Sequence, residues 1–201
     1  MGKQKRKRRK INKIFCIGLP RTGTVSITNA LKILGYESIH FVQYSDMFWR
    51  TLDIKDAFSD MTICCIFELL DCLYPNSKFI YTIRRMDEWL KSSKNKFSKP
   101  LGNWSIYGSL KLLFGKRYYD EELWKKGYIK YDKRVRDYFK DREQDLLIIN
   151  ICEGKDSEKW EKICTFLNKP IPDVEFPYLN KYKKAEKNER HKRIHDKIHR
   201  K

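Results

Sequence analysis

The sequence predicts an α/β protein with a three-layer, P-loop-like fold: a central, mostly parallel sheet of about four to five strands with helices on both faces. Three observations predict it. Short apolar runs alternate with stretches of helical spacing, the order that builds a parallel sheet covered on both sides. The first apolar run passes through a glycine-containing turn directly into a helix. The chain has 201 residues with Leu, Ile, Val and Phe plentiful through the middle, enough for one domain with a substantial core.

The elements follow in order. Residues 13–19, KIFCIGL, form an apolar run stopped by Pro20 and read as a buried strand. From Thr24 onward Val25, Ile27, Ala30, Leu31, Ile33 and Leu34 recur at helical spacing, and Gly35 is a suitable terminator. SIHFV, residues 38–42, reads as a second strand, and residues 62–74 as a helix ending before Pro75. KFIYTI, residues 78–83, is a strand followed by a helix from about Asp87 to Lys96. Residues 98–117, rich in Gly, Ser and aromatics, read as a loop-rich insertion. A long charged helix over about 120–142 precedes the strand LLIINI, 146–151. Asp156 and Ser157 offer an N-cap to a last helix, which Pro170 and Pro172 close. In such sheets ligands bind beyond the C-terminal ends of the strands, where the 18–26 loop and the turn after Ile83 both lie.

Charge is concentrated at the ends. Residues 1–10 hold seven Lys/Arg and no acid, and residues 181–201 hold ten against three acids. Fourteen of the net +18 charges therefore lie in the tails, and the stretch between carries only +4. This divides the chain into a basic arm over 1–12, expected to be disordered, an α/β domain over 13–180, and a basic tail over 181–201 able to form a helix on an anionic partner. The arm reads as a solubilising or loosely anion-binding segment; a nuclear signal, an RNA-binding arm and contact with anionic lipid are the alternatives. Arg6 stands where a myristoylation pattern needs Ser or Thr. No apolar stretch approaches the ~20 residues of a membrane span, and Gly18, Pro20 and Arg21 interrupt any secretory signal. The six cysteines show neither C-x-x-C pairs nor metal spacing and sit in apolar runs, which predicts buried free thiols and a cytoplasmic setting, with the nucleus as an alternative. His191, His195 and His199 recur every fourth residue, but within a basic stretch that reads as a solvated tail.

The turn GLPRTGTVS, residues 18–26, carries the chemistry. Gly18 and Gly23 let backbone N–H groups converge on an anion at a helix N-terminus. Thr22, Thr24 and Ser26 add hydroxyl donors and Arg21 a permanent cation. Nucleotide-hydrolysing P-loops place lysine, then a magnesium-binding hydroxyl, where this chain has Thr24 and Val25. The loop thus predicts a phosphate site without an obligatory metal.

GLPRTGTVSI resembles the 5′-phosphosulfate loop of the sulfotransferases, enzymes that use 3′-phosphoadenosine 5′-phosphosulfate (PAPS). KFIYTIRRMDEWLKSS resembles the family's 3′-phosphate segment, in which Arg84 and Ser92 match the arginine and the serine eight residues on. EGKDSEKWEKICTFLNKPIP and FPYLN resemble the C-terminal element of the family's compact branch with arginine in the loop, so the resemblance spans roughly 13–180. It implies a donor site formed by Pro20, Arg21, Thr22, Gly23, Thr24, Val25, Ser26, Arg84 and Ser92. It implies PAPS as co-substrate, its 3′,5′-bisphosphate (PAP) as product, and sulfuryl transfer to a hydroxyl or amine. The chain departs from the family pattern after Arg84, where Arg85 and Met86 stand in place of Asn or Asp and Pro.

Such a transfer needs charge stabilisation and a base. Arg21 supplies the first. Three candidates exist for the second: Asp60, before a predicted helix; His40, at the end of the second strand; and Glu68. Asp60 is favoured, although Met61 and Thr62 replace the aromatic and proline usual in the resembling branch. A helix N-cap is its structural alternative. The acceptor is a small molecule or a carbohydrate, with an amine or a protein tyrosine open, and the basic tails are expected to contact polyanions or an anionic membrane surface. The competing functions are a P-loop nucleotide kinase or transferase, which would need magnesium, and a non-catalytic polyanion-binding module.

Overall fold

The structure is a computed structural model that describes residues 12–45, 48–99 and 104–178. The two basic tails and the three tail histidines lie outside these residues. Five strands, β1 (Ile14–Cys16), β2 (Ser38–His40), β3 (Ala57–Ser59), β4 (Lys78–Thr82) and β5 (Leu146–Ile149), form one sheet in the order β2-β3-β1-β4-β5. Every pairing is parallel. The sheet is therefore at the upper end of the expected size and wholly parallel among the described residues.

Side-chain alternation along β1 sorts the core into two layers. Ile14 and Cys16 face one side with Ile80 and Ile149, under α1 (Thr24–Ile33) and α8 (Asp156–Leu167), which supply Ile27, Ala30, Leu31, Trp160 and Ile163. Phe15 and Ile17 face the other with Phe58, Phe79 and Tyr81. That side is covered by α2 (Phe48–Ile54), α3 (Met61–Cys64), α4 (Phe67–Leu73), α5 (Met86–Phe97), α6 (Trp104–Phe114) and α7 (Glu121–Phe139). Trp89 of α5 and Trp124 of α7 are fully buried there. Among the described residues no helix is long and apolar enough to cross a membrane.

Four local features depart from the sequence reading. The segment 48–59 contains α2 and β3, neither of which was expected. β3 is only three residues long, between Asp56 and Asp60, and pairing on both sides makes it a strand. The expected helix over 62–74 breaks into α3 and α4 at Cys65–Ile66, where Ile66 leaves the helical region with φ −127°. The break opens Cys64 O to the Tyr131 hydroxyl, 3.1 Å away. Within the expected loop of 98–117, residues 104–114 are helical because Ser109, Leu110 and Phe114 are buried against neighbouring elements. That burial outweighs the low helix propensity of Gly108. Finally, Asp156 is the first residue of α8, with Lys155 at the N-cap, and its carboxylate accepts from Phe176 N (3.2 Å) and Lys159 Nζ (3.0 Å). The thiols also differ in part from expectation: Cys16, Cys64 and Cys164 are buried, Cys65 and Cys152 half-buried, and Cys72 exposed.

Two glycines of neighbouring helices face opposite packing. A Cβ on Gly127 would lie 2.5 Å from Phe114 Cδ1 and 2.8 Å from Leu113 O, whereas one on Gly108 would meet nothing within 4 Å. Gly127→Ala is expected to destabilise the protein by ~1–3 kcal/mol through overpacking. Gly108→Ala is expected to stabilise it by ~0.5–1 kcal/mol through helix propensity. Midpoints of urea unfolding compare the two; equal shifts would contradict the close α6–α7 contact.

Candidate active site

Parallel pairing brings the relevant loops to one rim. β1 registers Cys16 against Ile80 of β4, so the chain leaves both strands side by side and enters the 18–26 loop and the Arg84 segment together. β2 registers His40 against Ser59 of β3, which sets the His40 ring beside the next residue, Asp60. β5 ends beside β4, with Ile83 N donating to Ile149 O at 2.9 Å, and delivers Ile151 and Cys152 to the same rim.

Close packing holds the 18–26 loop. A Cβ on Gly18 would overlap Thr82 Oγ1, so only glycine lets β1 pass β4 here. Gly23, at the N-cap of α1, has φ 100°, and a Cβ there would lie 2.7 Å from Ile151 Cδ1. The Thr22 hydroxyl points inward, donating to Leu19 O (2.7 Å) and meeting Thr82 Oγ1 (2.7 Å). The loop is thus tied to β4 from within, and its first helical turn faces a cavity of about 920 Å³.

Pro20, Arg21, Gly23, Thr24, Val25 and Ser26 line this cavity, and so do Arg84, Ser92, His40 and Asp60. Of the residues expected to bind the donor, Thr22 alone does not line the cavity. Arg21 Nε donates to Ser92 Oγ at 2.9 Å, and Arg84 Nη1 donates to Arg21 O at 3.3 Å. Arg84 Nη2 also lies 3.3 Å from Glu88 Oε2. Burial and the neighbouring Arg84 cation lower the Arg21 pKa, partly offset by Asp60 and Cys152. Four cations (Arg21, Arg84, Lys91, Lys96) and two carboxylates (Asp60, Glu88) line the cavity, a surplus that suits an anion.

At the other side of the cavity His40 Nε2 lies 3.1 Å from Thr24 Oγ1 and 3.5 Å from Asp60 Oδ2. Asp60 occupies the N-cap of α3 but makes no side-chain capping bond, and it lines the cavity. It is buried, and desolvation raises its pKa; His40, the Met61 amide, Arg21 and Lys96 oppose that shift. Glu68, the third candidate base, does not line the cavity: both its oxygens take up Arg134 at 2.5 Å. Phe41, Met61, Phe97 and Ile106 give the cavity apolar wall.

Strain is concentrated here. Among the described residues five non-glycines have positive φ: Arg21 (75°), Phe41 (61°), Asp60 (88°), Asn76 and Asn168. The asparagines belong to the type that tolerates this region, while the other three all line the cavity. Each such residue costs of order 1–3 kcal/mol, and such strain gathers at functional sites.

Sequence reasoning missed Lys91, Asn95 and Lys96, which join Glu88 and Ser92 on the cavity face of α5. The available signal was helical spacing: Asn95 and Lys96 stand three and four residues after Ser92, and Lys91 stands three after Glu88 and four before Asn95. Cys152 was signalled by its place just past β5. Tyr178 was not signalled; it reaches the cavity because its hydroxyl donates to Cys152 O at 2.5 Å.

The family model described as "Sulfotransferase domain" matches residues 13–55 and 43–185. The chain is also similar to "Ava biosynthesis cluster protein M" of Aspergillus versicolor, with 24% identity over 215 residues, covering 83% of this chain and 80% of that protein.

The buried Asp60 has a consequence for stability. Its folded-state pKa is raised above the ordinary 3.8, so between those two values the native state binds a proton that the unfolded chain has released. Stability therefore falls as pH rises through that window. Asp60→Asn is expected to melt above the wild type at neutral pH, with the gap closing as pH is lowered toward 4, as read from melting curves across pH. A variant that melts lower at neutral pH would show instead that the His40–Asp60 pair is net stabilising.

Proposed function

The chain belongs to the sulfotransferase family, whose reaction is PAPS-dependent sulfuryl transfer, and we propose that Arg84 with Ser92 takes the donor's 3′-phosphate while the 18–26 loop takes its 5′-phosphosulfate. The observation that carries this reading is the meeting of the two clusters at one cavity: Arg21 Nε on Ser92 Oγ at 2.9 Å and Arg84 Nη1 on Arg21 O at 3.3 Å. The cation surplus and the first turn of α1 in the cavity wall fit a ligand with two phosphate groups.

Bound PAPS supplies the activated sulfuryl group. Arg21, the first-turn amides of α1 and the Thr24 and Ser26 hydroxyls stabilise the negative charge that develops on the leaving 5′-phosphate. Arg21 acts as a fixed charge and takes no part in proton transfer. Asp60 removes the acceptor's proton, helped by a pKa that burial moves toward neutrality. His40, 3.5 Å from Asp60, shares that proton or orients the carboxylate. With Thr24 and Val25 at the positions that serve magnesium-dependent loops, no metal is assigned to the reaction.

The acceptor presents a hydroxyl or an amine on a small molecule or carbohydrate. Phe41, Phe97 and Ile106 favour one with an apolar body. The relative's name ties that protein to a biosynthesis cluster, in keeping with a small-molecule acceptor. The unpaired cysteines support a cytoplasmic setting, and the basic ends are left to contact polyanions or anionic membrane surfaces.

Calorimetry with PAP, AMP and ATP tests the reading. PAP is expected to bind at least about tenfold more tightly than AMP, the scale of one or more charge-assisted hydrogen bonds. The preference is expected without magnesium and lost in Arg84→Ala. Equal affinity for PAP and AMP would overturn the assignment of Arg84.

A further inference from the structure

Two aromatic side chains outside the cavity wall hold the main chain of both proposed phosphate sites. Tyr128 of α7 donates its hydroxyl to Arg84 O at 2.7 Å. Trp89 of α5 donates its indole N–H to Pro20 O at 2.8 Å. The two rings touch, with centroids 4.8 Å apart. Trp89 is fully buried, Tyr128 is half-buried, and neither lines the cavity. We propose that Trp89 and Tyr128 are positioning residues, a bridge that sets the spacing between the 5′-phosphosulfate loop and the 3′-phosphate arginine; this rests on the donor-site assignment above.

The chain needs such a bridge at these carbonyls. Arg84 lies between β4 and α5, so neither the strand ladder nor the helix holds its carbonyl. Pro20 directly precedes Arg21, whose φ of 75° is strained for a non-glycine. Fixing Pro20 O orients the peptide plane that enters Arg21 and so aims its guanidinium. Fixing Arg84 O does the same for the residue two positions past β4. Tyr131, one residue-triplet further along α7, bonds Ile17 O at 2.7 Å, so α7 braces the start of the loop as well. The Tyr128 hydroxyl adds nothing to the ring packing against Trp89, which leaves the bond to Arg84 as its function.

Tyr128→Phe isolates that bond by keeping the ring. In calorimetry its Kd for PAP is expected to rise about 3–10-fold, the range for one net hydrogen bond. Its Kd for AMP, which lacks the 3′-phosphate, is expected to stay within about twofold of wild type, and its melting temperature within about 4 °C. The PAP-to-AMP ratio therefore contracts, a change that general loosening would not produce. Trp89→Phe, where it folds, is expected to weaken PAP and AMP alike, because both use the 5′ loop. A Tyr128→Phe protein with an unchanged PAP-to-AMP ratio, or with equal losses for both nucleotides, overturns the proposal. If wild type prefers PAP and Arg84→Ala abolishes that preference while Tyr128→Phe retains it in full, the bridge alone fails. A wild type without the preference removes the donor-site reading, and the bridge with it.

Discussion

The parallel pairing of β1 with β4 is the constraint on which the rest of the site depends. Side-by-side strands that run the same way release their chains at the same rim. Arg21 and Arg84, 63 residues apart in sequence, meet for that reason. The pairing is enforced where it matters: Gly18 clears Thr82, and the Thr22 and Thr82 hydroxyls close the contact at 2.7 Å. On the other side of β1 the same logic, through β3 and β2, sets His40 beside Asp60. One sheet order thus assembles an anion-binding end and a proton-accepting end around a single cavity.

That assembly is built at the expense of local stability. Arg21, Phe41 and Asp60 hold backbone conformations that glycine would adopt more readily, and Asp60 is buried. The surrounding structure must over-determine such residues. It does so with bonds to backbone: Phe41 N reaches Ser59 O at 3.1 Å, and Ile63 N and Cys64 N reach Asp60 O at 3.0 and 3.1 Å. The fully buried Phe15, Phe58, Phe79 and Trp89 form the foundation underneath. In this arrangement the apolar layer beneath the sheet supports the strained rim.

Much of this was legible in the sequence. The glycine pair of the 18–26 loop, the apolar run before it and the helical spacing after it identify the opening strand, turn and helix. The arginine closing KFIYTI and the serine eight residues later mark the second cluster. What was hidden depends on tertiary packing. β3 is three residues that need neighbours on both sides to be a strand. α6 contains Gly108 and reads as loop until its buried face is seen. Thr22 carries a donor in a phosphate-loop setting, yet its hydroxyl serves Leu19 and Thr82, because only the fold reveals which way the side chain turns. Tyr178 reaches the cavity with its hydroxyl on Cys152 O, 26 residues away in sequence, and no local pattern announces it.

A crystal structure of the protein with PAP tests the central claim most directly. The account predicts the 3′-phosphate against Arg84 and Ser92, the 5′-phosphate against the 18–26 loop with Arg21, and Asp60 facing the open end of the cavity. A nucleotide bound with its 3′-phosphate turned to solvent, or seated away from the rim shared by β1 and β4, would contradict it.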